Sequence, residues 1–342
     1  MHHLPLQTID TTTTIATPLL WAITLGGVVA LMALDFVITR KPHEVSMREA
    51  IGWSMFYIAL PLAFGIWVWS AHGDQTGLQY YTGYLVEKTL SVDNLFIFIL
   101  ILTSFVVPRH LQQRVLLFGI AGALVLRGIF IALGAQLLSN FDAMFLVFGA
   151  ILVFTAVGVL RDTLRGGHDM DVHELKIVRL AKRIWPVTDD YRGTALMVRE
   201  GGRRMITPLL LVMLAILGTD VVFAVDSVPA VYGITGDPYL VFVTNAFALL
   251  GLRALYFVLE GALGQLRHLG YGLAVILAFI GAKLALHWAH NVWEWVPTVP
   301  TLASLIVIVS VLAIVTATSL IAERRERRTG VEAQEDGSEA RR

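Results

Sequence analysis

Two acidic stretches lie where acids are costly, inside long apolar runs. The first, GTDVVFAVDSVPAVYG at 218–233, holds Asp220, Asp226 and Pro229. The second, EKTLSVDNLFIF at 87–98, holds Glu87, Asp93 and Asn94. Carboxylates, amides, hydroxyls and backbone carbonyls are oxygen donors, the ligands that suit hard cations such as Mg2+, Ca2+ and Mn2+. Carboxylates also carry protons, so a proton relay would use the same residues. The candidate ligands are Glu87, Asp93, Asn94, Asp220, Asp226, Ser227 and Asn245. Cysteine is absent and the ten histidines fall at span ends, in loops or at the N-terminus, which argues against zinc and copper. It also removes disulfides and thiolate nucleophiles.

Four basic residues, Lys88, Arg127, Arg253 and Lys283, fall inside apolar runs with Glu87, Asp93, Asp220 and Asp226. A charge at the centre of a membrane helix costs about 2.5–3.5 kcal/mol on insertion scales. Eight such charges left alone would cost roughly 20–28 kcal/mol, more than the net stability of about 5–15 kcal/mol typical of a folded protein. Pairing, protonation or a hydrated cavity must compensate, and each places these groups inside a bundle. Arg127, Arg253 and Lys283 are expected in structural ion pairs, the two arginines holding acidic neighbours. Asp35 and Glu260, near span ends, are expected to reach the interface.

The elements that would position these residues are membrane helices. The chain has 342 residues, 56% hydrophobic and 15% charged, against about one quarter charged in soluble domains. A helix needs about 20 apolar residues to cross a bilayer. Nine runs qualify: 15–38, 50–70, 80–107, 113–138, 142–160, 207–234, 239–261, 269–288 and 299–321. They are continuous rather than alternating, so an all-α polytopic membrane protein is expected and a β-barrel is not. Residues 1–322 form the membrane domain, with a long loop at 161–206 and a charged tail at 323–342 expected to lack regular structure.

The net formal charge is zero, but its distribution is uneven. Of 26 Lys and Arg, 22 lie in the first, third, fifth and seventh connections and the tail. Loop 161–206 carries ten, and the second, fourth, sixth and eighth connections carry none. By the positive-inside rule the N-terminus is outside and the C-terminus cytoplasmic. HWAHNVWEWVP at 287–297 reads as an aromatic interface anchor, with His287 and His290 as polar tips. GGHDMDVHE at 166–174 reads as a solvated loop.

The third and sixth spans resemble each other. Glu87 matches Asp220, Asp93 matches Asp226, and Asn94 matches Ser227. Each is followed by a span with an arginine, in ALVLRGIF (123–130) and LLGLRALYF (249–257). The repeat unit is thus three spans, 3–5 and 6–8, and an odd number inverts the second copy, the plan of many transporters with a site at mid-membrane. Six residues along a regular helix turn through about 600°, so Asp220 and Asp226 would face differently on an intact helix. Pro229 removes a donor to the Val225 carbonyl, and a break near 225–229 is expected to bring both acids into one cavity.

At these residues the sequence resembles the TerC family of integral membrane proteins, in particular its Alx branch. The resemblance spans about 15–322 and is carried by GYLVEKTLSVDNLF (83–96), TDVVFAVDSVPAV (219–231), NAFALLGLRALYF (245–257) and YGLAVILAFIGAKL (271–284). It implies Mn2+ transport, chiefly export, across the bacterial inner membrane, with links to tellurite resistance and alkaline stress. Its intramembrane acids map onto Glu87, Asp93, Asp220 and Asp226. The wider group resembles the LysE-type transporter superfamily. The alternative it leaves open is a membrane partner that delivers metal to secreted proteins, linked to the translocation machinery, or a scaffold for a stress complex. Lipid, metal cation and protons are the expected partners; nucleic acid is not. No nucleotide-binding glycine loop and no nucleophile with a base is evident, so an enzyme is not expected.

Overall fold

The computed structural model describes residues 14–38, 46–165, 175–200, 202–260, 268–293 and 295–339. Arg40, Lys41, the 166–174 stretch, Arg267, Glu294 and the last two arginines lie outside the described residues. Within them the chain forms helices α1 (Pro18–Ile38), α2 (Met47–His72), α3 (Asp74–Ser104), α4 (Arg109–Asn140), α5 (Ala143–Leu164) and α6 (Lys176–Ile184). A hairpin of β1 (Met197–Glu200) and β2 (Arg203–Ile206) follows, then α7 (Pro208–Tyr232), α8 (Pro238–Leu250), α9 (Leu252–Glu260), α10 (Leu269–Val292) and α11 (Thr301–Glu339).

The helix ends follow local chemistry. Ser46 caps α2, its Oγ accepting from the Glu49 amide at 3.3 Å. Gly73 separates α2 from α3 with φ +86°, a conformation that L side chains resist. Asp237 caps α8, its Oδ1 accepting from the Tyr239 amide at 2.9 Å, ahead of Pro238 in the first turn. The same carboxylate ties down the segment just before α1, accepting from Thr14 Oγ1 at 2.7 Å and the Ile15 amide at 2.8 Å.

Four helices form the centre. Every residue of α8 from Tyr239 to Leu250 is buried, whereas α1 buries only Thr24, Val28 and Asp35. Contacts along α4 and α7 advance together, Gly119 with Ile216, Gly122 with Leu217 and Gly134 with Tyr232, so these helices run in the same direction. Likewise α3 and α8 run together, Gly83 meeting Thr244 and Lys88 meeting Gly251. α5 packs on α10 backbone to backbone: a Cβ on Gly149 would stand 2.7 Å from the Gly281 carbonyl oxygen. Such close approach is how membrane helices gain packing without a hydrophobic driving force between them.

Among the described residues, eight helices or helix pairs are long and apolar enough to cross a membrane: α1, α2, α4, α5, α7, α8 with α9, α10 and α11. α3 is long enough, at 31 residues, but its Asp74, Glu87, Lys88 and Asp93 keep it out of that set. The chain is therefore a multi-pass membrane protein.

Three expectations are corrected. α7 is not broken at Pro229; the helix runs through to Tyr232. The proline stands three residues from the helix end, so little ladder remains beyond the lost bond. The interruption falls in the next span, at Gly251 between α8 and α9, where Lys88 Nζ would lie 3.1 Å from a Cβ. Finally, α11 continues as helix to Glu339, through the charged tail. The tail is rich in Glu, Arg and Ala, all good helix formers.

Candidate ion site

Arg127 organises the site. It lies on α4 with no exposed surface and reaches two acids on two other helices. Nη1 donates to Glu87 Oε1 on α3. Nη2 donates to Asp220 Oδ1 on α7 at 3.0 Å, and Nε lies 3.3 Å from both Asp220 oxygens. Glu87 and Asp220 are likewise fully buried. With its amide oriented to satisfy both ends, Asn94 accepts from Arg127 Nη2 at 2.7 Å and donates to the Leu90 carbonyl at 3.1 Å. The guanidinium fork suits this role because it offers five donors in one plane.

Asn245 on α8 is a hydrogen-bond partner for the Glu87 carboxylate, and Ser91 Oγ, Ser227 Oγ and the Tyr84 hydroxyl are buried with no hydrogen-bond partner among the described residues. Tyr84, Glu87 and Ser91 recur at helical spacing on one face of α3. Leaving a buried polar group unpaired costs about 1–3 kcal/mol, so each hydroxyl is a place for a water or ligand atom.

Asp93 and Asp226 are half-buried and stand apart from the Arg127 cluster, within electrostatic reach of each other; Asp226 also feels Arg127. Gly83 meets Val231 while Asp93 lies near Asp226, so α3 and α7 run in opposite directions. Of the four sequence-predicted acids, Glu87 and Asp220 thus meet on Arg127, while Asp93 and Asp226 lie in each other's field. Among the described residues, no three of His, Cys, Asp and Glu come together as a metal shell. Arg127 bridges Glu87 and Asp220, the pair that would otherwise begin one. If all four carboxylates are ionised, they carry four negative charges against one guanidinium.

The other basic residues stand elsewhere. Arg253 binds Asp35 of α1 at 2.7 Å, both nearly fully buried, instead of an acid of the repeat. Asp35 therefore does not reach the interface as its span-end position suggested. Lys283 has no carboxylate partner among the described residues; its Nζ donates to Ser304 Oγ on α11 at 3.1 Å. Lys88 forms no ion pair among the described residues and lies against Gly251 and Tyr57. His287 is buried and meets Phe145 edge to face, so it is a packing residue rather than an interfacial tip. The side chain of Glu260 lies outside the described residues.

Sequence reasoning missed Ser91 and Tyr84, and named Asp35 but placed it at the interface. The first two were legible as polar residues one turn either side of Glu87. Asp35 carried the signal of being the one acid in its span.

Comparison with known proteins places the chain. A family model described as "Integral membrane protein TerC family" matches residues 72–327. An "Uncharacterized membrane protein" of Mycobacterium tuberculosis is 45% identical over 322 residues, covering 90% of this chain and 81% of the relative. Another membrane protein, from Myxococcus xanthus, is 41% identical over 278 residues, 81% of this chain and 86% of its own. A protein of Escherichia coli K12 that bears the name of a membrane-bound redox modulator, Alx, is 40% identical over 281 residues, 79% of this chain and 87% of its own. No solved structure matches.

Proposed function

The chain belongs to the TerC family of integral membrane proteins, and from that premise we propose that it exports a hard divalent cation, Mn2+ ahead of Ca2+ or Mg2+, across the bacterial inner membrane in exchange for protons. The observation that carries this reading is the convergence of carboxylates from α3 and α7 on Arg127, on helices that also bury the Ser91 and Ser227 hydroxyls with no partner among the described residues. Four carboxylates less one guanidinium leave three negative charges. A divalent ion with one proton balances them, and so do three protons, which suits a site that alternates between the two. Asp93 and Asp226, half-buried, receive the ion; Asn94, Ser227 and Asn245 supply neutral oxygens; Arg127 holds Glu87 and Asp220 in place between turnovers.

In this reading α3 is the ninth span, and the N-terminus is outside. Spans 3–5 and 6–8 are inverted copies: α3 and α7 run oppositely, and exchanging the copies turns the α4–α7 pairing into the α8–α3 pairing, each with its helices running together. The energetics require coupling. Moving a divalent cation outward against 100 mV costs about 4.6 kcal/mol, at about 2.3 kcal/mol per charge. Two protons moving inward cancel that electrical cost. Thiol chemistry is not open to this chain, which has no cysteine.

Mn2+ transport into everted vesicles tests the proposal. Asp93→Asn and Asp226→Asn variants at equal expression should lose it; normal transport by both would reject the site. The metal-delivery alternative rests on loop 161–206, and deleting the loop while following transport separates the two.

A further inference from the structure

α6 carries more apolar surface than the protein covers. At about 100° per residue, Ile177, Val178 and Ala181 form one face. Val178 and Ala181 are buried, and Ile177 packs on Gly218 of α7. Leu180 and Ile184 sit one turn apart and extend the same stripe, yet they are 56% and 55% exposed, and Trp185 just past the helix is also exposed. Lys176, Arg179 and Arg183 lie opposite the buried face, with Lys182 beside them, all exposed. A stripe flanked by cations on a helix this polar is the pattern of a helix lying in a membrane interface.

The surroundings of α6 are constrained at both ends. Its first turn is held on α7, a membrane-crossing helix. The strand after it is pinned to the residue before α7, with the Ile206 amide donating to the Pro186 carbonyl at 2.9 Å and the Thr188 amide to the Ile206 carbonyl at 2.9 Å. α6 therefore lies along the first half of α7 and cannot swing away from it. The adjoining hairpin sets Arg199 directly opposite Arg204, with both exposed. Like charges in that position repel, and an anionic surface relieves the repulsion.

We propose that α6 packs beside α7 at an acidic phospholipid surface, with Leu180 and Ile184 at the headgroup boundary and Lys182 and Arg183, at the end of α6 level with the start of α7, reaching the phosphates. The occupant is lipid rather than protein because the stripe adjoins a spanning helix and its flank is uniformly cationic, as juxtamembrane basic segments are.

The absence of cysteine permits a direct test in the full chain. Ile184→Cys and, separately, Leu180→Cys carry a nitroxide, with Asp189→Cys as a loop control. Each is reconstituted in vesicles of phosphatidylcholine alone or mixed equally with phosphatidylglycerol. In the mixed vesicles, accessibility to oxygen relative to a water-soluble nickel chelate should rise several-fold at 184 and 180 but not at 189. Adding Lys182→Glu with Arg183→Glu should abolish the rise. Labels equally open to nickel in both vesicles would overturn the proposal. So would labels shielded alike in detergent and in both vesicles, since protein, such as a second copy of the chain, would then cover the stripe.

Discussion

Arg127 Nη2 stands 3.0 Å from Asp220 Oδ1, and neither side chain has any exposed surface. With Glu87 on the other nitrogen, one cation joins the consecutive helices α3 and α4 to the distant α7. Desolvating three charges is expensive, and such a cluster is often no more stable than an apolar replacement of the same volume. Its presence in a membrane core therefore points to use rather than to stability.

Removing the cation alone should be severe. Arg127→Met leaves Glu87 and Asp220 buried without a counter-charge and should destabilise the protein by about 3–5 kcal/mol. Adding Glu87→Gln and Asp220→Asn should restore much of that loss. Thermal unfolding of the purified protein in detergent reads both effects; a single variant as stable as the parent would contradict the geometry.

The Asp35–Arg253 pair is a second buried ion pair, at 2.7 Å, and removing either partner alone leaves a buried charge. α1 buries only three residues, among them Asp35 and Thr24, whose hydroxyl is 2.7 Å from that of Tyr239, so this pair is one of its two polar attachments to α8 and α9 among the described residues. Asp35→Asn and Arg253→Gln should each cost about 3–5 kcal/mol, and the double variant should cost far less than the sum. Hydrogen exchange in α1 should rise in either single variant. Additive losses would mean that the residues act separately.

The spans were legible because the bilayer imposes a length and an apolar composition that few other environments demand. Glu87, Asp93, Asp220 and Asp226 were legible for the converse reason, as charges where charge is costly. Which acid meets which arginine was not legible, because that depends on how four helices pack. The repeat offered Arg127 and Arg253 as equivalents, yet one faces α3 and α7 and the other α1. Pro229 misled because its effect depends on its distance from the helix end, which periodicity leaves uncertain by several residues.

Tight packing of α5 on α10 gives a contrast within one helix. A Cβ at Gly149 meets the Gly281 carbonyl at 2.7 Å, whereas one at Gly158 meets nothing within 4 Å. Gly149→Ala should cost about 1–3 kcal/mol by overpacking. Gly158→Ala should be neutral or stabilising by up to about 1 kcal/mol from helix propensity. Equal melting temperatures for the two would refute the contact.

Tyr191, in the loop before α7, donates to the Phe105 carbonyl at the end of α3 at 2.8 Å. Burial pushes its phenol up from 10.0 to about 12. A group whose folded pKa is raised contributes stability that is complete below the unfolded pKa and disappears as pH rises through the folded one. Loop docking should therefore weaken between pH 10 and about 12. Limited proteolysis of the loop across that range should show a step that Tyr191→Phe, already lacking the hydroxyl, does not.

Asn245 offers the sharpest separation of function from stability. Its amide is buried within hydrogen-bonding reach of the Glu87 carboxylate, and the rest of its polar surface has no partner among the described residues; an unsatisfied polar group costs about 1–3 kcal/mol. A residue kept only for packing would serve better as leucine, which has a similar shape and no polar atoms. Asn245→Leu should therefore raise the melting temperature of the ion-free protein while lowering Mn2+ transport at least several-fold, the trade expected where a site is kept polar for its ligand. A variant that is more stable and transports normally would remove Asn245 from the ligand set. One that is less stable would show that the amide's role is structural, as a partner of Glu87.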